Sequence, residues 1–312
     1  MIVVRVEGGL GNQMFQVAFG MQLSERHKCE LVLDLSSYDQ QPEHGYLLGR
    51  FGVTARRLGQ DELRRVPRRY RASLAKSKKW SDHSFFAFDG LRRVREKPFG
   101  FAEKYLLARD DSYLVGYWQS ERFFRDVVAQ VRREFQPIAP LSAQSARLRE
   151  RMLDRPSVSL HIRRGDYVTS AQASAIYRSL SIDYYRRCVS NCLEAYSGVE
   201  VVVFSNDIAW CRQQLALPCP VHFVEHTTRD TAHEDLWLMT AAQCQIIANS
   251  TFSWWGAWLG QRSGHQVYAP RHWFRPDTLD DRGLACDGWQ LVDDPCENSN
   301  QNQNQNQKLA AA

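Results

Sequence analysis

Hydrophobic positions along the chain form short continuous runs that alternate with stretches of helical spacing. The first run, IVVRV at residues 2–6, is rich in β-branched residues and is followed by the glycine-rich turn GGLGN. Apolar residues then recur three and four positions apart over residues 13–27, before a second apolar run, CELVLDL, at residues 29–35. This order predicts a strand, a turn, a helix and a second strand at the start of the chain.

The pattern weakens over residues 39–111, where short helical pieces over residues 61–74 are interrupted by Pro67 and followed by several aromatic residues. We interpret this segment as an irregular insertion that forms one wall of a cleft. It is also basic, because residues 50–110 contain 17 Lys and Arg against 7 Asp and Glu. Such charge suits an anionic membrane surface, nucleic acid or a phosphorylated substrate; the alternative is a solvated face without a ligand.

Helical spacing returns over residues 120–135 and 142–153, and the break at residues 137–140, bounded by two prolines, predicts a linker between two domains. A second series of alternating elements follows this linker. Its predicted strands cover residues 158–162, 199–204, 221–224, 246–248 and 266–268, and its predicted helices cover residues 182–196, 208–215, 230–244 and 252–259. Strands that alternate with helices form parallel sheets, which bind ligands at the carboxyl ends of their strands.

We therefore expect an N-terminal domain over residues 1–139 and a C-terminal domain over residues 140–296. Residues 297–312 form a polar tail with little to bury, and its last residues, KLAAA, resemble an expression-vector remnant. This tail is expected to be flexible and is left out of the fold.

The composition is that of a folded, enzyme-like chain. Of 312 residues, 44% are hydrophobic and 12% are aromatic, which excludes disorder for the bulk of the chain. The sequence contains neither a run of about 18 apolar residues nor a secretion signal, so we expect no integral membrane segment. Its eight cysteines form no C-x-x-C pair, and we expect reduced thiols in the cytoplasm.

The sequence HIRRGDY, residues 161–167, brings basic side chains to the carboxyl end of an apolar strand. His161 and Arg163 share a face at strand spacing, and Arg164 begins the turn. Two guanidinium groups placed here can bind a diphosphate through bidentate hydrogen bonds and stay charged at any working pH. Asp166 can hold an arginine in place, and the alternative is a turn closed by an Arg164–Asp166 ion pair without a ligand.

The tract IIANSTFSWWGAWLG, residues 246–260, predicts a strand, a hydroxyl-bearing turn and an aromatic helix. Ser250, Thr251 and Ser253 would place hydroxyls and backbone N–H groups at the helix N-terminus, where anions bind. The alternative is an ordinary helix cap, and we expect the three tryptophans of this helix to be core residues. The glycosylation sequon at Asn249 is expected to stay unmodified.

Two further strand ends carry polar or flexible residues. Asn206 and Asp207 follow the strand VEVVVFS and can cap the next helix or face a ligand. The turn GGLGNQ at residues 8–13 allows close backbone approach, but it lacks the third glycine of a dinucleotide-binding motif and the Gly-Lys-Ser/Thr ending of a P-loop. A dinucleotide-binding fold and an NTPase are therefore poorly supported.

A metal site is not expected from the sequence. HEDL at residues 233–236 departs from the H-E-x-x-H zinc motif, and His222 and His226 lie on a predicted strand and its exit, where positions four apart do not converge.

Taken together, five tracts resemble the α-1,2-fucosyltransferases, which transfer L-fucose from GDP-fucose to a galactose hydroxyl. In chain order they are GGLGNQMFQ, HIRRGD, FSND, EDLWLM and IIANSTFSWWGAWL, and they span about residues 2–270. The resemblance implies an α/β, GT-B-like fold with two Rossmann-like domains facing a central cleft. It also implies a GDP-fucose-binding C-terminal domain, an acceptor-side N-terminal domain and no requirement for a metal or other cofactor.

The resemblance implies roles for the HIRRGD residues. Arg163, the first arginine of H-x-R-R-x-D, would bind the β-phosphate, and His161 would lie beside the nucleotide. Arg164 and Asp166 would support the loop, and Asn206 is a further candidate for donor binding.

Further donor contacts are implied for the serine-rich tract and the first turn. Thr251, Phe252 and Ser253 match the stretch that meets the diphosphate and guanosine, with Ser250 beside them. Gly11 and Asn12 match a Gly-Asn element close to the sugar, and Asn12 is counted with Arg163 as catalytic. Asp235 is the candidate acceptor for the guanine N1 and N2 hydrogens.

The implied reaction is the inverting, metal-independent transfer of L-fucose from GDP-β-L-fucose to the 2-hydroxyl of a terminal β-galactose. Negative charge grows on the β-phosphate as its bond to the sugar breaks, so the guanidinium of Arg163 would stabilise the transition state selectively. Glu7 is the candidate general base, and the alternative is proton transfer to the leaving phosphate.

Two other functions stay open. One is a fucosyltransferase of another linkage, and the other is a nucleic-acid-binding module based on residues 50–110, which lacks an RNA-binding strand signature. We expect GDP-L-fucose and a galactose-terminated glycan as partners, no nucleic acid, and peripheral membrane contact, if any, through the basic residues 50–110.

Overall fold

The computed structural model describes residues 1–39, 45–59, 61–62, 91–276 and 278–296, apart from the side chain of Asp166. Most of the predicted helical pieces over residues 61–74, the aromatic residues after them, much of the basic segment and the polar tail lie outside these residues. The chain divides into two compact units, Met1–Pro140 with Arg282–Leu284, and Leu141–Asp281 with the chain from Ala285 onward. The return of Arg282–Leu284 to the first unit was not predicted, and Ser120 Oγ donates to Gly283 O there, at 2.9 Å.

In the described part of the first unit, five parallel strands form one sheet in the order β3-β2-β1-β5-β4. They are β1 (Ile2–Arg5), β2 (Leu31–Asp34), β3 (Arg56–Arg57), β4 (Arg92–Arg95) and β5 (Ser112–Val115). The central strand β1 is fully buried, and Val4 lies opposite Leu33 on β2 and Leu114 on β5. The expectation that residues 39–111 lie outside the regular fold is wrong for β3 and β4, which extend this sheet at its two edges.

Helix α1 (Leu10–His27) follows β1 and is buried at nearly every position up to Leu23. It begins three residues earlier than predicted, so the last glycine of the turn lies inside its first turn. Lys28 ends the helix in the left-handed conformation, with φ of 51°. The ring of Phe19 packs against Trp118 at 4.5 Å and against Phe123 at 5.0 Å between ring centroids.

The single helix predicted over residues 120–135 is wrong in its first half. The chain forms two 3-10 turns, Glu121–Phe123 and Arg125–Val127, and only then the helix α2 (Val128–Glu134). These short turns bury Phe123 and Val127 beside α1, a packing that one straight helix starting at residue 120 would not reproduce.

Among the described residues of the second unit, six parallel strands form a sheet in the order β11-β10-β9-β6-β7-β8. They are β6 (Ser157–Ile162), β7 (Glu200–Ser205), β8 (Val221–Phe223), β9 (Cys244–Ile246), β10 (Gln266–Pro270) and β11 (Gln290–Val292). Read from β8, the order of appearance along the chain is 3-2-1-4-5-6, which is the Rossmann order. The predicted α/β class is therefore confirmed, with a parallel sheet in each unit.

The helices of the second unit largely follow the prediction. They are α3 (Ala143–Asp154), α4 (Gly165–Thr169), α5 (Ala171–Ser174), α6 (Ile182–Ala195), α7 (Ile208–Gln214), α8 (Ala232–Met239) and α9 (Thr251–Gly260). Helices α4 and α5 and the strand β11 were not predicted. Helix α8 ends five residues before the predicted end, because residues 240–243 turn the chain into β9, which begins at Cys244.

The core of the second unit lies between the sheet and its helices. Val158, Leu160, Val203 and Ile246 are fully buried on the strands. The tryptophans of α9 are at most 1% exposed and pack on one another, which confirms their prediction as core residues; they are Trp254, Trp255 and Trp258.

In each sheet, the strands that come next in the chain lie on one side of the first strand, and the later strands lie on its other side. In the second unit this switch lies between β6 and β9, and in the first unit it lies between β1 and β5. Ligands of open parallel sheets bind at the carboxyl ends of the strands at such a switch. The two switch points therefore mark where the functional residues of each unit are to be sought. No helix in the described ranges is both long and apolar enough to cross a membrane.

Candidate functional site

His161 is the second-last residue of β6, a central strand of the sheet, and it lies opposite Phe204 on β7. It is 5% exposed, and its ring centroid lies 5.7 Å from that of Phe252 at the start of α9. Burial, and then the positive charge of Arg163, lower the pKa of His161 to about 3. The imidazole is therefore neutral near pH 7, and its Nδ1 has no hydrogen-bond partner among the described residues.

Arg163 is the first residue after β6, at the carboxyl end of a strand that borders the switch point. Its main chain hydrogen-bonds the buried Tyr185 of α6, and its guanidinium carbon lies 5.6 Å from the centroid of the Tyr167 ring. The side chain is half-buried. A permanent positive charge thus stands beside a neutral histidine, at the position where the sequence predicted an anion site.

Arg164 has different neighbours. Its Nε lies 3.4 Å from Asp207 Oδ2, and its guanidinium carbon lies 3.8 Å from the centroid of the Trp210 ring. Asp207 also caps α7 by accepting from the Trp210 N–H. The described ion-pair partner of Arg164 is therefore Asp207, and the part of Arg164 in binding a diphosphate stays a prediction. Its role as loop support fits the geometry, while the side chain of Asp166 lies outside the described atoms.

Asn206 fixes the turn between β6 and α4. Its Oδ1 accepts from the Arg164 N–H at 3.0 Å. Gly165 follows with φ of +25°, and a Cβ at this residue would lie 2.0 Å from Asn206 Nδ2. A side chain at residue 165 would therefore force the Asn206 amide to move. Asn206 thus supports the main chain of the arginine loop, and its part in donor binding stays a prediction.

The N-terminus of α9 follows β9, which pairs with β6 across the switch. Ser250 is the N-cap, and its Oγ accepts from the Phe252 N–H at 3.4 Å. The first N–H groups of a helix lack intrahelical acceptors and carry the positive end of the helix dipole. Ser250, Thr251 and Phe252 therefore place an anion-attracting helix end beside His161.

Ser253 and Asn249 take structural positions instead. Ser253 is fully buried, and its Oγ donates to Ser250 O at 3.3 Å and lies 3.5 Å from Ala248 O, so its expected donor-binding hydroxyl is turned into the helix. Asn249 is 1% exposed, and its Nδ2 donates to Arg178 O and Trp273 O. The sequon is therefore closed to modification in the folded chain.

Asp235 lies in the first turn of α8. Burial raises the pKa of its carboxyl to about 7, although a hydrogen bond from Thr227 acts in the opposite direction. Its Oδ1 is buried and has no hydrogen-bond partner in the described part of the chain. The Oδ1 of Asp235, whose pKa is about 7, can therefore accept a hydrogen bond from a ligand's N–H group.

The neighbouring Glu234 belongs to a network that sequence reasoning missed. Its carboxylate accepts from Ser142 N at 3.1 Å, Ser142 Oγ at 2.7 Å and Ser145 Oγ at 2.5 Å. His226 Nε2 lies 2.7 Å from Ser145 Oγ. The network ties α8 and the loop after β8 to the start of α3. Its one sequence signal is the acidic pair that opens EDLWLM.

Gly11 and Asn12 lie in the first turn of α1, at the switch point of the first unit. Asn12 Oδ1 accepts from Gln119 Nε2 at 2.9 Å, and Gln119 follows β5. Gly8 has φ of +78°, which permits the sharp turn after β1. The amide of Asn12 is thus oriented by a residue that the sequence did not single out.

Glu7 is placed unfavourably for the expected base role. It is 3% exposed, and Arg5 Nε lies 3.1 Å from its Oε2. Although burial opposes the charge of Arg5, the charges of Tyr113 and Glu7 raise the pKa of this arginine above its ordinary value. Glu7 therefore lies in the core of the first unit, where Arg5 engages its carboxylate.

In the described parts of the chain, no group of three or more His, Cys, Asp and Glu side chains could hold a metal ion. All eight cysteines lie among the described residues, and each is free.

The chain is similar to several known glycosyltransferases. The family model for glycosyl transferase family 11 matches residues 72–279. An α-1,2-colitosyltransferase of Escherichia coli is 31% identical over 94% of this chain and 99% of its own length. The O-antigen biosynthesis glycosyltransferase WbnK of Escherichia coli is 28% identical over 91% of this chain and 98% of its own.

A galactoside α-(1,2)-fucosyltransferase 2 of Bos taurus is 29% identical over 50% of this chain and 46% of its own length. Among solved structures, the α-1,6-fucosyltransferase NodZ soaked with GDP-fucose aligns with a TM-score of 0.46 at 14% identity, over 83% of this chain and 91% of that one.

Proposed function

Because the chain belongs to glycosyl transferase family 11, and is therefore a glycosyltransferase, we propose that it is a galactoside α-1,2-fucosyltransferase. In this proposal it transfers L-fucose from GDP-β-L-fucose to the 2-hydroxyl of a terminal β-galactose, with inversion and without a metal. Arg163 follows β6 and the N-terminus of α9 follows β9, and these two strands flank the switch of a Rossmann-ordered sheet. This placement is the observation that carries the proposal.

The diphosphate of the donor is assigned to this switch. Arg163 supplies a charge to the β-phosphate, and the first turn of α9, with Ser250 and Thr251, supplies backbone N–H groups. His161 is neutral, so it can offer a nitrogen to the nucleotide without adding to the positive charge. Phe252, which packs on His161, is assigned to the apolar side of the same site.

The guanine base is assigned to Asp235. A carboxylate accepts two N–H groups at once, and guanine offers this pair at N1 and N2. The unpartnered Oδ1 and the raised pKa both support this assignment, because a buried carboxyl is stabilised by such donors. The Glu234 network anchors the helix that carries it.

In the reaction, the bond between the sugar C1 and the β-phosphate oxygen breaks and the acceptor 2-hydroxyl oxygen forms a bond to C1 from the opposite face. The electron pair of the broken bond stays on the phosphate, where Arg163 and the helix N-terminus stabilise it. Gly11 and Asn12 are assigned to the sugar. Since Glu7 is engaged by Arg5, we propose a dissociative path, in which the bond to the phosphate breaks first and the hydroxyl proton reaches the released phosphate through solvent.

A second donor follows from the comparisons. The relative with 31% identity over nearly the whole chain is named for colitose rather than fucose, so nucleotide-activated colitose is the alternative sugar donor. We also propose that the enzyme acts in the cytoplasm, which its eight free cysteines support.

The test is incubation of the full chain with GDP-fucose or GDP-colitose, a panel of β-galactosides and EDTA, followed by NMR of the product. We expect transfer of one sugar to the galactose 2-hydroxyl with EDTA present. Transfer to another hydroxyl would replace the proposed linkage, transfer only on adding a divalent metal would contradict the metal-free mechanism, and no transfer with either donor would contradict the proposal.

A further inference from the structure

Tyr167 touches both halves of the proposed phosphate site. It lies in α4 and is 8% exposed. The guanidinium carbon of Arg163 lies 5.6 Å from the centroid of its ring. Its hydroxyl donates to Asn249 O at 3.0 Å, one residue before the Ser250 cap of α9.

The ring of Tyr167 is held from its other side as well. Tyr177 stacks on it, with ring centroids 4.5 Å apart and ring planes 10° from parallel. Tyr177 in turn packs on Phe274 at 5.5 Å, and these two residues form an isolated β-bridge. The ring therefore has little freedom to tilt, and the guanidinium beside it rests on a fixed surface.

The carbonyl of Asn249 is equally well fixed. The side chain of the same residue donates to Arg178 O at 2.9 Å and to Trp273 O at 2.8 Å. These carbonyls belong to the two segments that carry Tyr177 and Phe274. One tyrosine thus joins a packed group of loops to both the guanidinium and the helix end.

We propose that Tyr167 is a positioning residue, which sets the distance between the guanidinium of Arg163 and the N-terminus of α9. The inference rests on the proposed function, because it matters only where a diphosphate bridges these two groups. A transition-state contact that moves by about 1 Å loses on the order of a hundredfold in rate, so a residue that fixes this distance affects catalysis without touching the substrate.

Two substitutions separate the two contacts of Tyr167. Tyr167→Phe removes the hydroxyl that holds Asn249 but keeps the ring under Arg163, so we expect KM for the donor to rise about threefold to tenfold with kcat nearly unchanged. Tyr167→Leu removes the ring as well, and we expect kcat to fall about 30-fold or more. Both are measured under conditions in which the variants are folded, as judged by circular dichroism.

Tyr184→Phe is the matched control. The Tyr184 hydroxyl donates to Ile247 O at 2.9 Å, two residues before Asn249, and its ring packs on Tyr185. It therefore removes a similar buried hydrogen bond from the same segment. We expect Tyr184→Phe to lower thermal stability while KM and kcat stay within about twofold of wild type. Equal kinetic losses in Tyr184→Phe and Tyr167→Phe would reduce Tyr167 to a structural role and overturn the proposal.

Nucleotide binding gives a second readout that does not depend on transfer. Since Arg163 is assigned to the β-phosphate, Tyr167→Leu is expected to weaken GDP binding about tenfold and GMP binding less than twofold in calorimetry. In Arg163→Ala, adding Tyr167→Leu is expected to cost less than a further threefold in GDP affinity, because the group being positioned is gone. A full tenfold loss in that background, or equal losses for GDP and GMP, would contradict the inference.

Failure of the proposed function gives a different result. Wild-type protein that binds GDP but transfers neither sugar would contradict the proposed reaction, while the GDP and GMP comparison would still decide the role of Tyr167.

Discussion

The guanidinium of Arg164 lies 3.8 Å from the centre of the Trp210 ring, with its Nε 3.4 Å from the Asp207 carboxylate. Arg163, one residue earlier, points its guanidinium to the Tyr167 ring. The two adjacent arginines of this motif therefore contact different parts of the fold. Arg164 joins the end of β6 to α7, and Arg163 is the arginine that we propose for the diphosphate.

Substitution of the two arginines should separate activity from stability. Arg163→Ala is expected to lower kcat/KM at least about 100-fold, equivalent to about 3 kcal/mol of transition-state stabilisation, with little change in thermal stability. Arg164→Ala is expected to lower the free energy of unfolding by about 1 kcal/mol, since it loses a cation–π contact and a partly exposed ion pair. Kinetics and thermal denaturation of both variants check this, and a parallel loss of both properties in Arg163→Ala would assign Arg163 to the fold.

The buried His161 should make the protein less stable in mild acid. The folded chain keeps this imidazole neutral down to a pKa of about 3, whereas the unfolded chain binds a proton near pH 6.5. Below pH 6.5 the unfolded state therefore takes up a proton that the folded state does not, and the free energy of unfolding falls. From pH 7 to pH 5 the loss due to His161 is about 2 kcal/mol.

Urea denaturation of wild type and His161→Gln at these two pH values measures the effect. The difference between their pH dependences isolates His161, because the other titrating groups are common to both proteins. Identical pH dependences would show that the imidazole charges in the folded state.

Donor binding should weaken as the pH falls through 7. In the proposed site, guanine N–H groups bind the ionised form of Asp235, whose pKa in the free protein is about 7. The ionised fraction falls about tenfold from pH 8 to pH 6, so the affinity for GDP-fucose should fall by about the same factor. GDP-fucose is the ligand of choice, since each of its phosphates carries one ester and the shared anhydride bond and so keeps a constant charge in this range.

Calorimetry of Asp235→Asn provides the control for this pH dependence. The variant is expected to bind GDP-fucose weakly and with the same affinity at pH 6 and pH 8. A wild-type affinity that does not change with pH would remove Asp235 from the guanine site.

Substitution of Gly165 should lower activity because of a steric clash with Asn206, in addition to the strain from its positive φ. A methyl group there would lie 2.0 Å from Asn206 Nδ2, so Gly165→Ala is expected to displace the arginine loop and lower activity at least about tenfold. Gly198, with φ of +67° and nothing within 4 Å of an added Cβ, is the matched control. Gly198→Ala is expected to cost about 1 kcal/mol in stability and no activity. Partial rescue of Gly165→Ala by Asn206→Ala would confirm the clash, and equal behaviour of the two glycine variants would contradict it.

The sequence predicted most of the strands and longer helices of the second unit because they are encoded locally. The run SVSLHI is apolar throughout, as a central parallel strand must be, and the serine before TFSWWGAWLG caps its helix. Both ends of the phosphate site could therefore be found from short motifs. That the two motifs lie together was predicted only through the family resemblance, because their proximity depends on the pairing of β6 with β9, from residues more than 80 positions apart.

Elements whose sequences contradict their position were missed. Strand β4 reads RRVR, which resembles a solvated segment, yet it pairs along its whole length with β5. The ion pair between Arg164 and Asp207 was not predicted either, because the pairing of β6 with β7 brings Asp207 close to a residue more than 40 positions earlier. Long-range pairing overrides local pattern at each of these places.

Helix α1 secures the turns around β1 through neutral amides. Gln13 donates to Gly8 O and Gly45 O and accepts from Leu47 N, while Gln16 accepts from Glu7 N and donates to Gly116 O. A carboxamide neither titrates nor gathers counter-ions. Changes in salt concentration or pH that weaken the arginine contacts of the second unit should therefore leave these amide hydrogen bonds of the first unit in place.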